Sequence, residues 1–129
     1  MCIRDSYEPD QQLLALALQS GAKIFLTHDP KLAVDGANYI YADVWASMGQ
    51  EEEREKRRLA FEGIYQVNAE LMKAAHPGAM VQHCLPAYRE QEITTKVFEE
   101  HANEIFDEAE NRLHAQKAVM VTLMGSKED

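Results

Sequence analysis

Ala79-Met80-Val81-Gln82-His83-Cys84-Leu85-Pro86 is the stretch on which the fold turns. Its apolar opening reads as a short buried strand over Ala79 to Cys84. Pro86 ends that strand, because proline has no N–H to give to a ladder. A strand that stops at an imidazole and a thiol delivers functional groups to its carboxyl end, where open α/β sheets bind their ligands. A second stretch repeats the pattern: Tyr39-Ile40-Tyr41-Ala42 runs into Asp43-Val44-Trp45-Ala46-Ser47-Met48-Gly49. Two strand ends bearing Asp, Ser, Met, His and Cys point to a small-molecule site.

Toward the N-terminus, Asp10 caps a helix that runs through Leu13, Leu14, Ala17 and Leu18 and stops at Gly21. Ala22 to Thr27, with Ile24, Phe25 and Leu26, reads as a strand. Thr27-His28-Asp29-Pro30 then turns the chain into a brief helix over Lys31 to Val34. Ala37 to Ala42 is the next strand. The unbroken charge run Glu51 to Arg58 is a solvated helix face, with Glu52/Lys56 and Glu53/Arg57 spaced four apart. Leu59, Phe61 and Ile64 are expected to turn that helix back onto the sheet. A helical stretch over Val67 to Ala75 breaks at His76-Pro77-Gly78, ahead of the Ala79 to Cys84 strand. Thr94 or Thr95 starts a further helix through Val97 and Phe98, Glu104 to Phe106 reads as a fourth strand, and a last helix opens at Asp107. Its Ala118 to Met124 end is apolar nearly all round. It either crosses the sheet deeply or packs on protein beyond this chain, and the second reading is preferred. Strands alternating with helices predict an α/β fold, with a mostly parallel sheet between helical layers.

Composition narrows the function. The 129 residues suit one core, and no stretch approaches the length of apolar chain that spans a bilayer. With 13 basic against 22 acidic side chains the formal charge is −9, which argues against nucleic acid or an anionic membrane as partner. The opening Met1 to Ser6 lacks the apolar core of a signal peptide and receives no structural role. Two cysteines far apart fit neither a disulfide framework nor a zinc site, so a reduced, cytoplasmic setting is expected.

Several side chains carry candidate chemistry. Cys84 reads either as a small core residue or as a thiol turned outward by the Leu85-Pro86 turn, which a cis bond would build. A nucleophile pair with His83 is disfavoured, since neighbours on a strand face opposite ways. Asp43 is either a turn residue or a carboxylate which, with Ser47 four residues on, holds a substrate ammonium. Trp45 and Met48 are by default packing residues. Arg112 is either a solvated helix arginine or, if a short link from the fourth strand sets it at the same rim, the cation that meets a carbonyl or phosphate oxygen. His28, His76, His101 and His114 show no ligand spacing.

Asp43-Val44-Trp45-Ala46-Ser47-Met48-Gly49-Gln50-Glu51, His83-Cys84-Leu85-Pro86-Ala87 and Ala109-Glu110-Asn111-Arg112-Leu113-His114 together resemble the ornithine carbamoyltransferases. Tyr7-Glu8-Pro9 and Thr27-His28-Asp29-Pro30 extend the likeness, so that it covers about Tyr7 to Met124. Ser47-Met48-Gly49 is the ornithine-type loop, distinct from relatives that carbamoylate aspartate or putrescine.

The resemblance implies a Rossmann-like ornithine-binding domain over 7–124, with an unmatched start at 1–6 and a tail at 125–129. It implies transfer of a carbamoyl group from carbamoyl phosphate to the δ-amino group of L-ornithine, giving citrulline and phosphate, with no cofactor and no metal. By position, Asp43, Ser47 and Met48 would hold ornithine. Cys84 and Leu85 would lie beside the δ-amino group and the carbamoyl carbon, and Arg112 with the His83 turn would contact carbamoyl phosphate. Family chains are more than twice this length and begin with a carbamoyl-phosphate domain bearing a Ser-Thr-Arg-Thr loop, which is not found here. The chain is therefore expected to be truncated at its N-terminus, inactive alone, and part of a homotrimer when whole. The competing expectations are a carbamoyltransferase for another amine, such as putrescine, and a non-catalytic amino-acid-binding module.

Overall fold

Alternating burial fixes the sheet. In β1 (Tyr39–Ala42) Ile40 and Ala42 are buried while Tyr39 and Tyr41 are exposed. In β2 (Met80–His83) Val81 and His83 are buried while Met80 and Gln82 are half-buried. This is the period of two that a half-buried strand imposes. The strands pair in parallel, Tyr39 with Met80 through Ala42 with His83, so side chains in register share a face. Ile40, Ala42, Val81 and His83 line the core face, and Tyr39, Tyr41, Met80 and Gln82 the other. The structure, a computed structural model, describes residues 7–46, 49 and 51–125, with the backbone alone at residue 51.

Helices α1 (Gln11–Gln19) and α2 (Pro30–Val34) precede β1. Asp10 caps α1 by accepting from the N–H groups of Gln12 and Leu13, and Asp29 caps α2 through Lys31 and Leu32. Gly21, at φ +86°, takes the left-handed position that ends α1 without a Cβ penalty. A 3₁₀ turn (Glu51–Glu53), α3 (Arg54–Phe61) and α4 (Ala69–Met72, capped by Asn68) make the crossover to β2. After β2 the chain forms α5 (Thr95–Glu100, capped by Thr94) and α6 (Ala102–Met124). The core gathers Ile40, Val81, Ile93, Val97, Phe98 and Ile105 around the sheet and the last two helices.

The α/β class is the one predicted, but three expectations are corrected. Ala22–Thr27 forms no named strand: it carries a single β-bridge, at Thr27, and Phe25 stays 58% exposed. Residues 104–106 belong to α6, which begins at Ala102 rather than Asp107. Ile105, fully buried, is a helix anchor in the core, not a strand residue. The third concerns α3, where Phe61 does turn inward, into a cluster with Tyr7, Trp45 and Tyr65 at centroid distances of 5.0, 6.1 and 5.5 Å. Leu59 stays exposed because two residues along a helix is more than half a turn round. Ile64, beyond the helix end, is exposed as well.

Candidate active site at the strand ends

Asp43 and Cys84 are each the first residue past a strand, in register across the parallel pair. The alternation that sinks Ala42 and His83 into the core sends their successors to the opposite, open face. There the Cys84 thiol donates to Oδ1 of Asp43 at 3.0 Å. The same carboxylate oxygen accepts from the N–H of Val44 at 2.7 Å, which holds it at the strand end. Partial burial, and next the Asp43 hydrogen bond, push the Cys84 thiol up to about 11. At neutral pH it is a protonated hydrogen-bond donor rather than a thiolate.

Beneath this pair lies a buried polar link. His83 Nε2 meets Oε1 of Glu92 at 3.0 Å, with His83 fully buried and Glu92 2% exposed. His83 Nδ1 accepts from the N–H of Leu85 at 2.9 Å, so the proton is assigned to Nε2, which donates to Glu92. Glu92 Oε1 also accepts from the N–H of Tyr88 at 2.7 Å. Both ends of the loop after β2 are thus tied to one imidazole–carboxylate pair. The N–H of Val67 bonds to the carbonyl of Glu92 at 2.8 Å and secures the acidic residue's own segment. Both ring nitrogens of His83 are engaged inside the protein, so the turn offers its backbone rather than its imidazole to a ligand.

Leu85 sits at φ +50°, a left-handed conformation that costs a branched side chain of order 1–3 kcal/mol and gathers at functional sites. The Leu85–Pro86 bond is cis. The turn is held in that shape by the His83 bond to Leu85 N–H and by packing of the Leu85 side chain on the core.

On the open face, α6 crosses beside the strands. Glu104 accepts from the N–H of Val81 at 3.0 Å, a donor that the β1 ladder leaves over. Glu108 accepts from the Tyr41 hydroxyl at 2.6 Å. That hydrogen bond, and then burial, push the Tyr41 phenol up to about 12. Arg112 is one helical turn past Glu108 on the same side of α6, exposed, and without a hydrogen bond or ion pair among the described residues. It lies within a continuous helix, not after the predicted strand-to-helix link. Ser47 and Met48 lie outside the described residues.

Of the sequence candidates, the structure brings Asp43, Cys84 and the His83–Leu85 turn together. Sequence reading missed Glu92, whose only signal was an acidic residue beside Ile93, at the edge of the Thr94 helix start. Tyr41 and Glu108 were missed as well. Trp45 packs on Phe61, as its default reading expects. Among the described residues no group of His, Cys, Asp or Glu is arranged to hold a metal ion, and no helix is long and apolar enough to cross a membrane.

The sequence profile of the family described as "Aspartate/ornithine carbamoyltransferase, Asp/Orn binding domain" matches residues 1–123. A protein of Oleidesulfovibrio alaskensis named ornithine carbamoyltransferase is 58% identical over 124 residues, which are 96% of this chain and 41% of that protein. The anabolic ornithine carbamoyltransferase of Campylobacter jejuni superposes with a TM-score of 0.88 at 36% identity, over 98% of this chain and 43% of that one. The ornithine carbamoyltransferase of Pyrococcus furiosus gives 0.84 at 46% identity, over 98% and 42%. The chain thus spans about two fifths of the length of the relatives it matches.

Proposed function

Because the chain belongs to the aspartate/ornithine carbamoyltransferase family through its Asp/Orn binding domain, we propose that residues 7–124 form the amine-acceptor domain of an ornithine carbamoyltransferase. The observation that carries the reading is the 3.0 Å approach of Cys84 to Asp43 at two adjacent parallel strand ends. In this proposal Asp43, Ser47 and Met48 hold L-ornithine, and Cys84 and Leu85 flank its δ-amino group. Arg112 and the His83 turn face carbamoyl phosphate.

The chemistry follows from the charges. An ammonium has no lone pair, so the δ-nitrogen must shed a proton before it attacks. Asp43 is the carboxylate in reach to take that proton. The nitrogen then adds to the carbamoyl carbon, the bond from that carbon to the phosphate-bearing oxygen breaks, and phosphate leaves with the bonding pair. A second proton goes from the new amide nitrogen to solvent or phosphate. Cys84, protonated at working pH, orients the amine and does not form a covalent intermediate. Arg112 balances negative charge gathering on the carbamoyl oxygen. Holding two substrates side by side supplies much of the acceleration.

A site for phosphate needs cations, and the chain as a whole carries a formal charge of −9. We assign the remaining phosphate contacts to the rest of the longer protein. The exposed apolar end of α6, with Leu123 77% and Met124 78% exposed, is assigned a packing place on it. On this reading the chain alone makes no citrulline, and the whole protein is a cytoplasmic homotrimer. The test replaces the matching part of the Oleidesulfovibrio alaskensis relative with residues 7–124 of this chain. Citrulline from the chimera and none from the isolated chain supports the proposal. Faster transfer to putrescine or aspartate than to ornithine overturns it, as does ornithine binding without turnover.

A further inference from the structure

The last helix is anchored at one end and free at the other. Glu104 holds the N–H of Val81 at 3.0 Å, Ile105 is fully buried, and Glu108 holds the Tyr41 hydroxyl at 2.6 Å. From Glu110 to Gly125 every residue is exposed. Glu108 is therefore the last α6 side chain hydrogen-bonded to the sheet, and some four helical turns extend past it.

The register gives the direction of that extension. Glu104 meets β2 at Val81, and Glu108 meets Tyr41, the partner of Gln82 one step nearer the strand ends. Helix and strands advance the same way. The next turn, a rise of about 5.4 Å, carries Arg112 to the level of His83 and Cys84. Residues four apart share a helix face, so whatever fixes Glu108 also fixes the azimuth of Arg112.

We propose that the Tyr41–Glu108 hydrogen bond is the tether that sets the free length of α6, and Arg112 with it, over the strand ends. Tyr41 and Glu108 are positioning residues that act through Arg112. The inference rests on the carbamoyl-transfer reading only for what Arg112 does once it is held there. Ile105 and the Glu104 contact to Val81 fix where the helix starts. A second attachment about one turn further on is what stops it pivoting about that point.

The experiment measures a distance and needs no activity. Nitroxide labels go on Lys117→Cys in α6 and Lys73→Cys at the end of α4, with Cys2 and Cys84 replaced by Ser, and electron double resonance reads their separation. A single narrow distribution is expected in this parent. Tyr41→Phe, which loses only the hydroxyl, should broaden it at least twofold. Glu108→Gln, which keeps an amide oxygen for the phenol, should hold the parent's width. If Tyr41→Phe loses its helical dichroism, Glu108→Ala decides in its place, since it leaves β1 untouched and must broaden the distribution likewise. A parent already broad, or a Tyr41→Phe distribution as narrow as the parent, overturns the tether. Carbamoyl transfer unchanged by Arg112→Ala in the chimera would instead sink the catalytic reading of Arg112, and the distance result would stand.

Discussion

The Cys84 thiol donates to Asp43 at 3.0 Å, from one parallel strand end to the next. Neither residue is in a strand, and neither would meet the other in a different register. A slip of one residue would turn Cys84 into the core and bring His83 out. The contact therefore depends on the whole β1–β2 ladder, and it joins a hydrogen-bond acceptor to a group that keeps its own proton.

That proton has a measurable consequence. The rate of alkylation of Cys84 by iodoacetamide should stay low through neutral pH and reach half its maximum near 11. In Asp43→Ala the midpoint should fall, since a hydrogen bond and a nearby negative charge are lost. It should remain above 9.0, because burial is the larger cause and survives the substitution. A midpoint that does not move would deny the Asp43 contact.

Alkaline stability follows from the same groups. Cys84 goes from an ordinary value of 9.0 to about 11 in the fold, and Tyr41 from 10.0 to about 12. Both hold their protons more tightly folded than unfolded, so both stabilise the fold fully below pH 9. That contribution is lost as pH climbs from about 9 toward 12. Urea midpoints should decline across this window, less steeply in Cys84→Ser. Tyr41 adds little, since its ring is 58% exposed. Equal slopes in the two proteins would contradict the assignment.

Glu92→Leu should be severely destabilising. It leaves His83 Nε2–H and Tyr88 N–H buried or half-buried with no acceptor, at about 1–3 kcal/mol for each unmet donor. Glu92→Gln keeps an amide oxygen at the same place and should lose less than half as much. Chemical denaturation of the two variants separates the effects, and similar losses would mean that the hydrogen bonds do not matter.

Ile105→Ala tests whether α6 begins at Ala102. A fully buried isoleucine cut to alanine should cost about 2–5 kcal/mol. Leu113→Ala on the same helix, where the leucine is 56% exposed, should change stability by less than about 0.5 kcal/mol. Comparable losses at the two positions would contradict the anchoring of α6.

Local rules made much of this legible. Asp10 is a cap, Thr94 starts its helix, Gly21 is a helix stop, and Tyr39–Ala42 and Met80–His83 are strands, as their residues suggest. The opposite facing of His83 and Cys84 follows from that alternation alone. What failed was non-local. Ile24, Phe25 and Leu26 have the composition of a strand, but composition does not report whether a ladder forms, and the segment carries a single bridge at Thr27. Glu104-Ile105-Phe106 looks extended because one apolar pair beside a charge fits two periods, and only burial of Ile105 in the core decides for the helix. Glu92 was invisible because its meaning comes from His83, nine residues away and met only through a folded turn.

In the proposed reaction Asp43 takes the proton from the attacking amine of ornithine. The chimera that carries residues 7–124 in the Oleidesulfovibrio alaskensis relative, assayed for citrulline with saturating carbamoyl phosphate, measures it through kcat/KM for ornithine. Asp43→Asn, nearly identical in shape, should lower that ratio by about 10²–10⁴, the usual contribution of a positioned base. A ratio within about threefold of the parent would mean that no such proton transfer occurs at Asp43.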